Sequence, residues 1–164
     1  MALKTYDREA AVAYAKTWAL LRNPKYYDYD GIGGDCTNFV SQCLYAGSSV
    51  MNFKETFGWY YISASNHSPS WTGVVYLYNY LTRKTGPGPV GVEVPMQKVM
   101  PGDISQFADV VPRFSHSQFI VSIKDVPSLE NVLVCTHTFD SIDRPLSTYS
   151  FQKIRFIHIT GVRK

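Results

Sequence analysis

The sequence is short of cysteine, short of charge and free of long apolar runs, and each shortage excludes something. Three cysteines in 164 residues are too few, and odd in number, for a disulfide-stapled scaffold, so at least one thiol is left to explain. No apolar run approaches the roughly 20 residues that cross a bilayer, so no membrane partner is expected. Charged residues make up 18% and the net charge is +3. With no Lys/Arg-dense stripe, a nucleic-acid partner is not expected either. The opening residues, Met-Ala-Leu-Lys-Thr-Tyr-Asp, lack the apolar stretch of a secretory signal. The domain is then expected either to be exported by other means or to be excised from a longer chain.

What is present in quantity is aromatic. Twelve Tyr and three Trp accompany a 45% hydrophobic content, enough for one globular domain with a real core, residues 1–164 as a single unit. Tyr and Trp have apolar bodies and polar tips, so they serve at a core edge or on a surface that binds sugar or peptide.

Apolar residues Ala11, Tyr14, Ala15, Trp18 and Leu21 recur at three- and four-residue steps, which predicts a helix over residues 7–22 closed by Asn23-Pro24. A second helix is predicted from Cys36 to Tyr45 or Ala46, with Gly47 as its terminator. A third is predicted from a Ser70 cap to Leu81, and residues 48–69 read as irregular. Beyond Gly86-Pro87-Gly88-Pro89 the period changes, and strands are predicted over 102–107, 116–123, 131–139 and 153–160. Helices first and strands afterwards is the pattern of an α+β domain with an antiparallel sheet.

Among the cysteines, Cys36 stands apart. It follows Gly33-Gly34-Asp35 and opens a helix, where free N–H groups and the helix dipole favour a thiolate and can hold an oxyanion. Asp35 and Thr37 flank it and are expected around the nucleophile and the oxyanion. Cys43 and Cys135 read as core residues. A base is expected from His116, which starts a strand that can face the helix. The third residue, which should hold the imidazole's other nitrogen, has two candidates. If strands 116–123 and 132–139 pair with 123 opposite 132, then His137 lies diagonally beside His116, while Asp140 has the opposite parity. A one-residue slip reverses that preference. Trp59, Tyr60, Tyr61 and Trp71 are candidates for a substrate groove, with core packing as the alternative for Trp71. No cofactor is required. Asp28, Asp30 and Asp35 offer a calcium alternative, but the loop fails the EF-hand pattern, with Ile32 and Phe39 at two ligand positions.

Taken together, Asp35-Cys36-Thr37-Asn38-Phe39-Val40-Ser41-Gln42, Pro101-Gly102-Asp103-Ile104 and His116-Ser117 resemble the CHAP and NlpC-type peptidoglycan hydrolases. The closest likeness is to the putative amidase domain of bacterial cell-wall hydrolases and phage endolysins. Tyr6-Asp7-Arg8, Trp18, Arg22-Asn23-Pro24, Ser70-Trp71, His137-Thr138 and Arg144-Pro145-Leu146-Ser147 extend it over nearly the whole chain. The resemblance implies a papain-like fold, with the nucleophile at a helix N-terminus packed on an antiparallel sheet. It implies Cys36 as nucleophile, His116 as base and His137 as third residue. Implied with these are an extracellular, bacteriolytic hydrolysis of peptidoglycan, as N-acetylmuramoyl-L-alanine amidase or endopeptidase, and a monomeric domain beside wall-binding modules. Where papain-like peptidases often carry a Gln before the Cys, Gly33-Gly34-Asp35 stands instead, so backbone N–H groups are expected to form the oxyanion site. The alternatives are acyl or γ-glutamyl transfer on the same pair, and a catalytically silent wall-binding module.

Overall fold

The computed structural model describes residues 2–164. A two-residue strand β1 (Leu3–Lys4) leads to helix α1 (Arg8–Trp18), then helix α2 (Cys36–Ser48). A small hairpin follows, β2 (Tyr61–Ser63) and β3 (Asn66–His67), and then helices α3 (Pro69–Thr72) and α4 (Val74–Leu81). The remainder is strand: β4 (Gly88–Val94), β5 (Ile104–Ala108), β6 (His116–Ile123), β7 (Val132–Thr136), β8 (Ser141–Pro145) and β9 (Lys153–Arg163). The α+β class expected from the sequence is therefore observed, with an antiparallel sheet in the order β1-β9-β5-β6-β7-β8 and β4 also paired to β9. Among the described residues no helix is long and apolar enough to cross a membrane.

Each helix departs from its predicted bounds for a local reason. Helix α1 starts where Asp7 accepts a capping bond from Ala10 N. It stops at Trp18 because that carbonyl turns to accept from Leu21 N and from His137 Nε2. Leu21 is consequently exposed, and the fully buried stripe is Ala11, Ala15 and Ala19. Helix α2 runs through Gly47 rather than ending at it. A Cβ there would lie 2.5 Å from Tyr6 and 2.7 Å from the Asp7 carbonyl, so the glycine serves close packing of α1's entry on α2. The left-handed turn falls on Ser49, whose N–H returns to Tyr45 O at 2.8 Å. The third predicted helix is two, because Gly73 is extended and breaks it into α3 and α4.

Alternation along the central strands builds a core on each face of the sheet. Phe119, Cys135, Ile157 and Ile159 join Phe39, Val40, Cys43 and Leu44 of α2, together with Trp59, Trp71 and Leu77. Ile120, Val134 and Phe156 point the other way, onto Val99 and Leu146 in the two short 3-10 turns and connections that cover that face. The register of β6 and β7 begins as expected, with Ile123 opposite Val132. A bulge then intervenes, and Ile120 pairs with Val134 and Phe119 with Cys135. The extra residue shifts the pairing by one and changes what lies beside His116.

Candidate active site

The loop before α2 turns through Gly31, Gly33 and Gly34, each with positive φ, and delivers Cys36 as the first residue of the helix. The side chain is nearly buried and reaches solvent only through a cleft. Burial alone raises the thiol's pKa, but hydrogen bonds from His116 foremost, then from the Ser117 backbone, Thr37 and Thr138, outweigh it. The net shift is downward from the ordinary 9.0. The other two thiols behave oppositely. Burial pushes Cys43 well up and Cys135 up to about 11, and no disulfide links any of the three. Cys36 is the one thiol of the three whose pKa is lowered, the direction that favours a thiolate.

His116 opens β6, as the sequence indicated, and lines the same cleft as Cys36; the thiol first, and then Asp109, raise the imidazole's pKa against the opposing effect of burial. Its Nε2 is 2.9 Å from Asp109 Oδ2, which leaves Nδ1 for the sulfur. Asp109 lies just after β5, in the connection to β6. Pairing of Phe107 with His116 brings it alongside the imidazole, and that hydrogen bond is the main cause of its lowered carboxyl pKa. Sequence reasoning missed Asp109. The available signal was its place seven residues before His116, across a hairpin turn.

His137, expected beside His116, is occupied elsewhere. Its Nδ1 is 2.6 Å from Asp35 Oδ2 and its Nε2 is 2.8 Å from the Trp18 carbonyl, so neither nitrogen is free for His116. The β6–β7 bulge is the reason, since it removes the register on which the expectation depended. Asp140, the reserve candidate, is held by Arg22 at 2.8 and 3.0 Å and likewise does not meet the imidazole. The geometry puts Asp109 in the position for which they were considered.

Asp35 flanks the nucleophile without facing it. Its buried carboxylate accepts from Tyr29 N and Asn38 Nδ2, both at 2.8 Å, and from His137. It thus pins the glycine loop, α2 and the segment after β7 at one point. The calcium alternative finds its three carboxylates already engaged or apart. Asp28 contacts Arg22 and Asp30 N, Asp35 is enclosed by its own donors, and Asp30 stands exposed. Among the described residues no three His, Cys, Asp or Glu side chains are placed to share an ion. Thr37 is buried beside the sulfur, its Oγ1 3.8 Å from Sγ and 3.0 Å from Ser117 Oγ.

The cleft above Cys36 has a volume of about 400 Å³ and is walled by Gly33, Gly34, His116, Thr138, Phe139 and Asp140. Phe139 stands at its rim, 86% exposed and in a left-handed conformation. The aromatic groove expected from Trp59, Tyr60, Tyr61 and Trp71 is not there, since none of the four lines the cleft. Both tryptophans are fully buried, with Trp59 Nε1 donating to Ser41 Oγ and Trp71 Nε1 to Asn38 Oδ1. Tyr60 packs near Phe53, at 5.7 Å between ring centres. The tryptophans brace the face of α2 away from the cleft, and their polar tips find partners inside.

Residues 5–160 match the family model described as "Putative amidase domain". The chain belongs to that family. The amidase domain is also 36% identical over 140 residues to the protein described as "Uncharacterized protein YhbB" of Bacillus subtilis (strain 168), a match covering 83% of this chain and 42% of that protein. The domain therefore spans less than half the length of this relative. No solved structure matches it. Family membership indicates amide hydrolysis as the activity class.

Proposed function

We propose that this amidase domain is a papain-like cysteine hydrolase that cuts an amide bond in bacterial peptidoglycan, outside the cell. The placement of Cys36 and His116 in one open cleft, with the thiol at the start of a helix and its pKa lowered first of all by that imidazole, carries the reading. Family membership supports amide cleavage. The wall as substrate is supported by the motif resemblance and by a net charge of +3 that suits an anionic polymer.

In the proposed reaction the thiol proton passes to His116 and the thiolate attacks the amide carbonyl carbon. The negative oxygen that forms is held by backbone N–H groups at the start of α2, where the helix dipole favours it. His116 then protonates the departing amine as the C–N bond breaks, leaving a thioester on Cys36. Water, relieved of a proton by His116, attacks the thioester and frees the acid and the thiol. Asp109 holds the ring by Nε2 throughout, so Nδ1 stays aimed at sulfur.

Mass spectrometry of purified peptidoglycan after digestion tests the proposal. New muramic acid ends would mark an N-acetylmuramoyl-L-alanine amidase, and new peptide ends an endopeptidase. Neither should form with Cys36→Ala. Intact wall after exposure to the wild-type domain, or equal cleavage by Cys36→Ala, would refute it.

A further inference from the structure

Beneath the reactive pair runs a column of polar side chains that the proposed chemistry does not itself use. Arg155 lies between Tyr78 and Phe114, 3.7 and 3.9 Å from the two ring centres. Its Nε and one terminal nitrogen both donate to Gln106 Oε1, at 2.9 and 2.7 Å. Gln106 is fully buried, and its Nε2 donates to the Val74 carbonyl at 3.0 Å and to Ser117 Oγ at 3.1 Å. Ser117 Oγ is 3.0 Å from Thr37 Oγ1, which is 3.8 Å from Cys36 Sγ.

The direction of every bond in this column follows from its first member. A guanidinium only donates, so Gln106 must present oxygen to it and nitrogen to Val74 and Ser117. Ser117 Oγ thereby receives an N–H, and its one proton has a single acceptor in reach, Thr37 Oγ1. If Thr37 donated to Ser117 instead, the Ser117 proton would be buried without a partner, which costs about 1–3 kcal/mol. Thr37 therefore accepts from Ser117 and has its own proton left for sulfur. We infer that Arg155 sets the donor direction of a buried hydrogen-bond chain that ends on the Cys36 sulfur, and is thereby a positioning residue for the nucleophile. The inference rests on Cys36 being the reactive thiol of the proposed function. Between Arg155 and the thiol the chain holds no titratable group. The charged or titratable groups around the sulfur are His116 from β6 with Asp109 behind it, Asp35 at the start of α2 with His137 from the segment after β7 bonded to it, and Asp30 and Asp140 at the cleft wall.

The experiment reads the pH midpoint of Cys36 alkylation by iodoacetamide, followed by peptide mass spectrometry, and needs no cell-wall substrate. Thr37→Val removes the last donor. Gln106→Glu puts an acceptor where the amide N–H was and reverses the column, and Arg155→Met removes its anchor. Each should raise the midpoint by about half to one unit, or roughly 3- to 10-fold less thiolate below the midpoint. In a Thr37→Val background, Gln106→Glu and Arg155→Met should add nothing, because the shared terminal bond is already gone. Near-UV circular dichroism checks folding, and Arg155→Met carries the test if the buried glutamate does not fold. Unmoved midpoints in the folded single variants, or shifts that add in the Thr37→Val background, would overturn the inference. A wild-type Cys36 that titrates like a free thiol would instead remove the function proposed for it.

Discussion

Replacing Asp35 with alanine should cost more stability than any other single change at the mouth of the cleft. The carboxylate is fully buried and accepts three hydrogen bonds, from Tyr29 N, Asn38 Nδ2 and His137 Nδ1, at 2.8, 2.8 and 2.6 Å. A buried donor stripped of its acceptor costs about 1–3 kcal/mol. Asn38 and His137 are buried and bear the full penalty, whereas Tyr29 is half-exposed and can recover a water. Asn38 and His137 also keep their second partners, Tyr27 O and Trp18 O, which limits how far they relax. The expected loss is therefore about 3–5 kcal/mol, and for a domain of this size a fall in Tm of roughly 6–20 °C. Asp35→Asn keeps the two Oδ1 bonds and should lose about half as much. Urea and thermal denaturation followed by circular dichroism measure both. A loss below about 1 kcal/mol for Asp35→Ala would refute the idea that this carboxylate holds the loop, the helix and the segment after β7 together.

Because its thiol pKa is lowered, Cys36 carries more thiolate at any given pH than a free thiol, so its alkylation curve should lie to the acid side of the ordinary 9.0. His116→Ala removes the largest lowering bond and should move the curve back up, while Cys43 and Cys135, raised by burial, should stay unmodified in the folded protein, as peptide mapping across pH would show. Asp109→Ala should lower kcat for wall cleavage by up to about 10²-fold through a misaligned imidazole, with Asp109→Asn restoring part of the rate; unchanged kcat would exclude Asp109 as the orienting group. Gly47→Ala gains about 1 kcal/mol of helix propensity but sets a Cβ 2.5 Å from Tyr6 Cε1, so the net effect should be a loss of about 1–3 kcal/mol by urea denaturation. Trp71→Ala should destabilise by about 3–5 kcal/mol through an internal cavity, and an effect confined to wall affinity would contradict its placement in the core.

The positions of Cys36 and His116 were legible in the sequence because each is tied to a local signal. Two glycines and a helix start announce the first, and a strand start announces the second. Asp109 had only its place seven residues before His116 to mark it, and the pairing of β5 with β6 is what sets it on the imidazole. The β6–β7 bulge leaves no mark in composition or period, and it turned His137 from a neighbour of His116 into the partner of Asp35. Strand β4, rich in Gly and Pro, gave no period to read; it exists because β9 offers it an edge. The tryptophans were ambiguous for a different reason. A residue with an apolar body and a donor tip suits a binding surface or a core equally, and only the presence of Ser41 and Asn38 as acceptors decides.

Strand β9 is the closing seam of the domain. On one edge it takes β4, and on the other β5 and then β1, so the earliest and middle parts of the sequence await the same late stretch before they can pair. During synthesis the glycine loop and the first helices leave the ribosome well before that seam exists. A nascent domain of this topology should remain protease-sensitive until Lys153–Arg163 has emerged, and should then gain protection in one step. The surroundings of Cys36 are thus assembled late, when the column running from Arg155 to Thr37 first has its anchor.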